Sequence, residues 1–201
     1  MIAVLDYGIG NLASATKALR RGGGDARLVT DPADVAAASG VVLPGVGSFG
    51  RCAQALAASG LEAAARAALG GGRPFLGICV GMQLLYEGSE ESPEVPGLGV
   101  LEGTVRRLRG GLKCPQMQWN RLDARRPSHL LGAGGDGAWV YFVHSYAAPD
   151  SDDVVATCDY GGTVVAAVER GPLWATQFHP EKSGAAGLAL LAGFAAACGP
   201  A

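Results

Sequence analysis

Cys79 is the residue in this chain best placed to act as a nucleophile. It stands in Gly77-Ile78-Cys79-Val80-Gly81, after the apolar run Phe75–Ile78 and before Met82-Gln83-Leu84-Leu85. A strand turning directly into a helix, with glycine two residues to either side of the nucleophile, is the thiol counterpart of the G-x-S-x-G elbow. The glycines let strand and helix approach closely while the central side chain projects from the sheet edge. A sulfur placed there faces the N-terminal N–H groups of the helix, which favour the thiolate. A buried cysteine without such flanks is better read as a small core hydrophobe, so Cys52, Cys114, Cys158 and Cys198 are assigned to packing or chance.

A thiolate that attacks an amide needs a group to protonate the departing nitrogen and then to activate water, and histidine suits both tasks near neutral pH. Of the three histidines, His179 follows an apolar run and has a carboxylate two residues on, in Gln177-Phe178-His179-Pro180-Glu181. Glu181 can accept the second ring N–H and support the imidazolium as it forms. His129 lies in a polar Arg/Pro/Ser stretch and reads as a surface residue. His144, in Phe142-Val143-His144-Ser145-Tyr146, is either a satisfied core histidine or part of a pocket rim. An oxyanion also needs donors. The loop Pro44-Gly45-Val46-Gly47 after Val41–Leu43 can offer a backbone N–H beside the elbow, with the N–H of Val80 as the second donor. Without the elbow the same loop would be a plain strand-to-helix turn, and Gly45-x-Gly47 lacks the rest of a nucleotide fingerprint.

Positioning these groups requires a sheet whose strands end side by side. Ile2–Leu5, Arg27–Thr30, Val41–Leu43 and Phe75–Ile78 read as strands. They alternate with helices at Leu12–Arg21, at Ala53–Leu69 with a break near Gly60, and from Met82 to Tyr86 onward. This is the pattern of a parallel α/β sheet covered on both faces. The second half reads differently: Val100–Leu108, Trp139–Tyr146, Val154–Asp159, Thr163–Glu169 and Leu173–Phe178 are strand-like runs with little helix between them, which predicts an antiparallel or mixed extension. A last helix runs from Ser183. Glu87–Gly99 and Arg121–Gly137 are surface excursions, and 201 residues with no long linker predict one domain over residues 1–201.

Composition narrows the partners. A net charge of −2, from 16 Lys+Arg and 18 Asp+Glu without a basic run, excludes an electrostatic footprint for nucleic acid or an anionic membrane. The apolar stretch Ala185–Cys198 is shorter than the ~20 residues of a membrane helix. The start of the chain lacks a basic region and a cleavage site, so no leader is expected. Five cysteines, an odd number with no CxxC spacing and no His cluster suited to zinc, fit a reducing cytoplasm and no metal.

Taken together, the motifs resemble those of class I glutamine amidotransferases, and more narrowly the glutaminase subunits of imidazole glycerol phosphate synthase in histidine biosynthesis. The resemblance rests on Asp6-Tyr-Gly-Ile-Gly-Asn11, Pro44-Gly-Val-Gly-Ser-Phe49, Gly77-Ile-Cys-Val-Gly-Met-Gln83, Trp119-Asn120, Tyr141-Phe-Val-His-Ser-Tyr146 and Gln177-Phe-His-Pro-Glu-Lys-Ser183. It implies a flavodoxin-like fold, a cofactor-free glutaminase with Cys79 as nucleophile, His179 as acid and base, and Glu181 as its orienting carboxylate. It also implies an oxyanion donor at Val46 that flips into place on partner activation, and contacts to L-glutamine from Gly45, Gly47, Gln83, Glu91, Ser145 and Tyr146. Asn11, Trp119, Tyr141 and Lys182 match a face that docks on a synthase barrel subunit in a heterodimer, which receives the ammonia.

In this sequence Gln116 and Gln118 stand where the resembled pattern has His and Gly, in a loop expected to look towards that interface. A glutaminase of another pathway, such as one feeding anthranilate synthase, tends to carry Cys-Leu-Gly-His-Gln rather than Cys79-Val-Gly-Met-Gln83. A stand-alone cysteine hydrolase or a non-catalytic partner-stabilising homologue are the further alternatives.

Overall fold

The computed structural model describes residues 1–109 and 111–199. The first half is β1 (Ile2–Leu5), α1 (Leu12–Arg21), β2 (Ala26–Val29), α2 (Pro32–Ala37), β3 (Gly40–Gly45), α3 (Phe49–Ala58), α4 (Leu61–Gly70), β4 (Phe75–Cys79) and the single turn α5 (Val80–Gln83). The second half is β5 (Gly88–Ser89), β6 (Thr104–Arg107), β7 (Gln116–Arg121), β8 (Asp123–Ala124), β9 (Trp139–His144), β10 (Tyr146–Ala147), β11 (Val154–Asp159), β12 (Thr163–Arg170), β13 (Leu173–Thr176) and α6 (Gly184–Ala197).

Eight strands form the central sheet in the order β2-β1-β3-β4-β13-β12-β11-β8. The five from β2 to β13 are mutually parallel, and β12, β11 and β8 add antiparallel strands. This is the expected α/β architecture. β1, β3 and β4 are buried along their whole lengths, as parallel strands covered on both faces must be. On one of those faces α6 lays Leu190, Leu191 and Phe194 against the sheet, where the Phe194 and Trp174 rings meet edge to face at 5.7 Å. Because β1 lies between β2 and β3, the strand order reverses there, and the carboxyl ends of β3, β4 and β13 border a crevice of the kind that holds ligands in open α/β sheets.

Several elements differ from expectation for identifiable reasons. The helical run expected over Ala53–Leu69 starts earlier, at Phe49, and its expected break at Gly60, whose φ of +76° only glycine adopts easily, separates α3 from α4. Pro32 and Asp31, whose carboxylate accepts the Ala33 N–H at 2.8 Å, start the unforeseen α2. Val100–Gly103 is irregular, so only Thr104–Arg107 of that run is a strand. Trp139–Tyr146 divides at Ser145, with β9 pairing β7 and β10 pairing β6. The helix expected from Met82 to Tyr86 is only the one turn α5.

Candidate active site

Cys79 ends β4 with φ 55° and ψ −113°, the one non-glycine residue at positive φ among the described residues. Backbone held in so sparsely populated a region is typical of functional turns. Packing enforces it: a Cβ on Gly81 would lie 1.8 Å from the Leu43 carbonyl oxygen, and one on Gly77 would meet the Gly81 oxygen at 2.9 Å. The two glycines therefore let β3, β4 and the elbow close on each other. Since α5 is a single turn, the sulfur does not have the dipole of a long helix behind it.

β13 runs beside β4 and delivers His179 three residues after its last strand residue. The His179 N–H donates to the Tyr141 carbonyl at 3.0 Å. Ser183 fastens the turn further: its hydroxyl donates to the His179 carbonyl at 2.6 Å and accepts the Tyr141 N–H at 3.0 Å. The ring's Nδ1 is 2.8 Å from Glu181 Oε1, and both side chains are buried. A carboxylate can only accept, so Nδ1 carries the proton and Nε2 is left to serve Cys79, whose thiol acts on the titration of the ring. Burial alone would depress the His179 pKa, but hydrogen bonds and charge from Cys79 and Glu181 outweigh it and push the value up to about 10. Burial would likewise raise Glu181; the hydrogen bonds from His179 and Asn11 reverse this and hold the carboxyl below its ordinary range.

A cavity of about 350 Å³ opens on this pair, towards the small end of the ~300–1,000 Å³ common for ligand pockets. Of the residues expected to act here, Cys79, His179, Val46, Gly47, Val80, Gln83, Glu91, Ser145, Tyr146 and Lys182 line it. Glu181 sits behind His179, and Gly45 lies behind the loop, packed against the Gly81 nitrogen and the Val80 side chain. The Glu91 carboxylate is held by the Phe49 N–H at 2.7 Å, at the start of α3. A larger cavity, about 460 Å³ near Arg106 and Arg109, contains none of the expected residues. No group of three or more His, Cys, Asp or Glu residues suited to a metal occurs among the described residues.

His144 resolves into both readings left open for it. It is buried, contacts the Gln116 side chain and the Tyr146 carbonyl, and lines the cavity. Burial, with the His179 charge adding to it and the bond to Tyr146 opposing it, pushes its pKa down to about 4, so it is neutral where His179 would work. Gln116 does not look towards the expected docking face. It is fully buried on the inner side of β7, because that side packs against β11, while Gln118 is exposed. Asn11, expected on the docking face, turns its side chain to Glu181. Trp119 is 47 % exposed; its ring meets Tyr141 at 6.1 Å, and the Lys182 ammonium lies 5.9 Å above the Tyr141 ring.

Three contacts escaped sequence reasoning. Tyr7 donates its hydroxyl to the Pro44 carbonyl at 2.5 Å, the Cys52 thiol reaches the Val46 carbonyl at 3.2 Å, and the Gln177 amide lies 3.8 Å from the Cys79 sulfur. For Gln177 alone there was a local signal. It precedes His179 by two residues, and in extended backbone such residues share a side.

A thiol at the end of β4, with an imidazole and a carboxylate in series after β13, is what acyl transfer through a thioester requires. The family model for glutamine amidotransferase class-I matches residues 3–197. The chain is a member of that family. Proteins named imidazole glycerol phosphate synthase subunit HisH are its relatives over nearly their whole length. That of Synechococcus sp. (strain JA-3-3Ab) is 52% identical over 199 residues, covering 96% of this chain and 92% of the relative. That of Deinococcus radiodurans is 48% identical, covering 100% and 95%. Among solved structures, a glutamine amidotransferase superposes with a TM-score of 0.75 at 24% identity, covering 96% of this chain and 98% of that one. PurLQS from Thermotoga maritima gives 0.73 at 20%, covering 96% of each chain, so the amidotransferase fold is kept where little sequence is.

Proposed function

We propose that the chain is the glutaminase subunit of an imidazole glycerol phosphate synthase, hydrolysing L-glutamine at Cys79 and passing the ammonia to a barrel-shaped synthase subunit in histidine biosynthesis. The observation that carries the reading is the buried Cys79, His179, Glu181 series at the mouth of the cavity, in a chain about half identical to HisH subunits over its length.

In this mechanism the Cys79 proton rests on His179 Nε2, as the raised pKa of the ring favours, and the thiolate attacks the side-chain amide carbon of glutamine. The N–H groups of Val46 and Val80 receive the tetrahedral oxyanion. His179 returns its proton to the departing nitrogen as the C–N bond breaks, giving ammonia and a glutamyl thioester. Water, deprotonated by His179, cleaves the thioester to glutamate and restores the thiol. Glu181 keeps the ring in one tautomer and stabilises the imidazolium without taking its proton. Gln83, Glu91, Ser145 and Tyr146 supply polar groups for the amino-acid end of the substrate. Among the described residues no helix is long and apolar enough to cross a membrane.

The test is reconstitution. Mixed with a synthase barrel subunit, the chain is expected to support glutamine-dependent formation of imidazole glycerol phosphate. Product formed only from added ammonium salts, or no complex at all, would overturn the reading.

A further inference from the structure

Beside His179, a second polar group reaches the Cys79 sulfur from the opposite end of a buried hydrogen-bond chain. The chain's polarity is set by one unambiguous atom, the Tyr146 carbonyl oxygen, which can only accept. Gln83 lies 3.0 Å from it and must present its NH2. The same nitrogen is 3.0 Å from the Gln177 side-chain amide, so Gln177 must present its oxygen there. That leaves the Gln177 NH2 turned on Cys79 Sγ at 3.8 Å. Gln177 is fully buried and Gln83 is 3 % exposed, so water does not compete for these bonds. An amide nitrogen cannot accept a proton from a thiol, which leaves one direction for the contact: N–H towards sulfur.

We propose that Gln177 is a further catalytic residue, its side-chain amide donating to the Cys79 thiolate, with Gln83 as the positioning residue that fixes which way the Gln177 amide points. The inference deepens the glutaminase reading and rests on Cys79 being its nucleophile. In a water-poor site a hydrogen bond to the charged form of an acid favours that form. Gln177 therefore stabilises the thiolate after the proton has moved to His179 Nε2, and itself transfers no proton. Both hydrogens of the Gln83 amide are used by Tyr146 and Gln177. Its oxygen is thus the group Gln83 has left for a substrate donor, so one side chain serves the substrate with one end and the nucleophile with the other.

The test separates this role from the activity assay. Alkylation of Cys79 by iodoacetamide, followed by mass spectrometry of its peptide, reads thiolate availability without glutamine. Gln177→Met keeps the size and removes the donor; Gln177→Glu keeps the shape and sets an acceptor against the sulfur. We expect the alkylation rate at pH 7 to fall about tenfold in the first, the effect of one hydrogen bond to a charged group, and further in the second. The pH profile should move to higher pH in both, and kcat should fall with KM within about twofold. Folded variants with the wild-type alkylation profile would overturn the proposal, even if glutaminase activity were lost. Should neither variant fold, 15N-labelled wild-type chain carries the test: the Gln177 side-chain amide resonances must shift when Cys79 is alkylated, and unshifted resonances would overturn it. Normal alkylation behaviour of Cys79 in a chain with no glutaminase activity would instead count against the functional reading.

Discussion

The side-chain amide of Asn11 donates to Glu181 Oε1 at 3.1 Å, the same oxygen that faces His179 Nδ1 at 2.8 Å. A residue at the start of α1 thus touches the carboxylate proposed to orient the base, 170 positions further along the chain. Since Glu181 Oε2 has no hydrogen-bond partner among the described residues, Oε1 concentrates the support that holds the carboxylate. Asn11→Ala should raise the Glu181 pKa and lower kcat about 10- to 150-fold with little change in KM, one hydrogen bond to a charged group being worth ~1.5–3 kcal/mol. Asn11→Asp, which sets a second carboxylate against the first, should cost more. Steady-state glutaminase kinetics on both variants decide this, and equal kcat values for all three proteins would contradict it.

The elevated pKa of His179 has a sign that can be checked. Cys79 contributes a hydrogen bond and charge that favour the imidazolium, whereas burial favours the neutral ring. Removing the sulfur takes away the first and leaves the second, so Cys79→Ala must lower the His179 titration midpoint from about 10, as followed by 15N NMR of the ring. The same variant, and Cys79→Ser, should reduce glutamine hydrolysis by a factor on the order of 10³ or more. Glu181→Gln should reduce it less than His179→Ala, because Glu181 orients the base without itself moving the proton.

What the sequence disclosed and what it concealed divide along physical lines. The elbow was legible because its signal is local: two glycines, a strand and a cysteine within five residues. His179 and Glu181 were legible for the same reason. The Asn11 contact with Glu181 and the chain from Tyr146 through Gln83 and Gln177 to Cys79 join residues distant in sequence, and only the fold brings them together. β7 was concealed by an inverted pattern. Its outward side chains include Met117 and Trp119, its innermost is the polar Gln116, and so Gln116–Arg121 reads as a polar loop.

Gln116 now makes a prediction different from the one its position suggested. His144 is neutral, and its Nδ1 must donate to the Tyr146 carbonyl 2.8 Å away, so Nε2 is an acceptor. The Gln116 amide oxygen stands 3.0 Å from Nε2 and its nitrogen 3.7 Å from Cys158 Sγ; the two ends of an amide are alike in shape, and a neutral ring calls for this one turned over, with its NH2 to Nε2 and its oxygen to the thiol. Gln116→Leu would leave both groups buried and unpaired, and should cost ~1–3 kcal/mol in urea unfolding. Because the side chain is fully buried, affinity for the synthase subunit should hold within about twofold. A weakened complex with unchanged stability would return Gln116 to the interface.

Gly81 offers a sharper test of the elbow's packing. An alanine Cβ there would lie 1.8 Å from the Leu43 carbonyl oxygen, which is backbone in the middle of the sheet and cannot turn aside. Overpacking of this kind should exceed the usual ~1–3 kcal/mol, so Gly81→Ala is expected to unfold at much lower denaturant or fail to accumulate. A variant of wild-type stability would show that β3 and the elbow are not in the contact described.

The exposed face of the β7 and β9 ribbon bears on how the chain docks. Met117 and Trp119 alternate to one side of β7, and Trp139 and Tyr141 to the same side of β9, since Trp119 pairs with Tyr141 and Arg121 with Trp139. Met117, Trp119 and Trp139 are 59 %, 47 % and 56 % exposed, an apolar surface that calls for a cover. From it a run of contacts leads inward: Trp119 to the Tyr141 ring, Tyr141 to the Lys182 ammonium, and Lys182 next in sequence to Glu181. A partner seated on this ribbon would therefore press on the turn that carries His179 and Glu181. On the other side of the cavity the Val46 loop is flanked by Gly45 and Gly47, and Gly47 sits at φ +83°, so its peptide groups can reorient at low cost. The isolated chain is accordingly expected to be a poor glutaminase that the occupied synthase subunit stimulates by orders of magnitude. Trp119→Ala should weaken the complex about 10- to 100-fold, the effect of losing an aromatic anchor, and abolish stimulation at partner concentrations near the wild-type Kd. Titrating the synthase subunit, with its nucleotide ligand, into the glutaminase assay measures both effects. Equal kcat/KM with and without the partner would leave the chain an always-active glutaminase, with the ribbon serving only as an anchor.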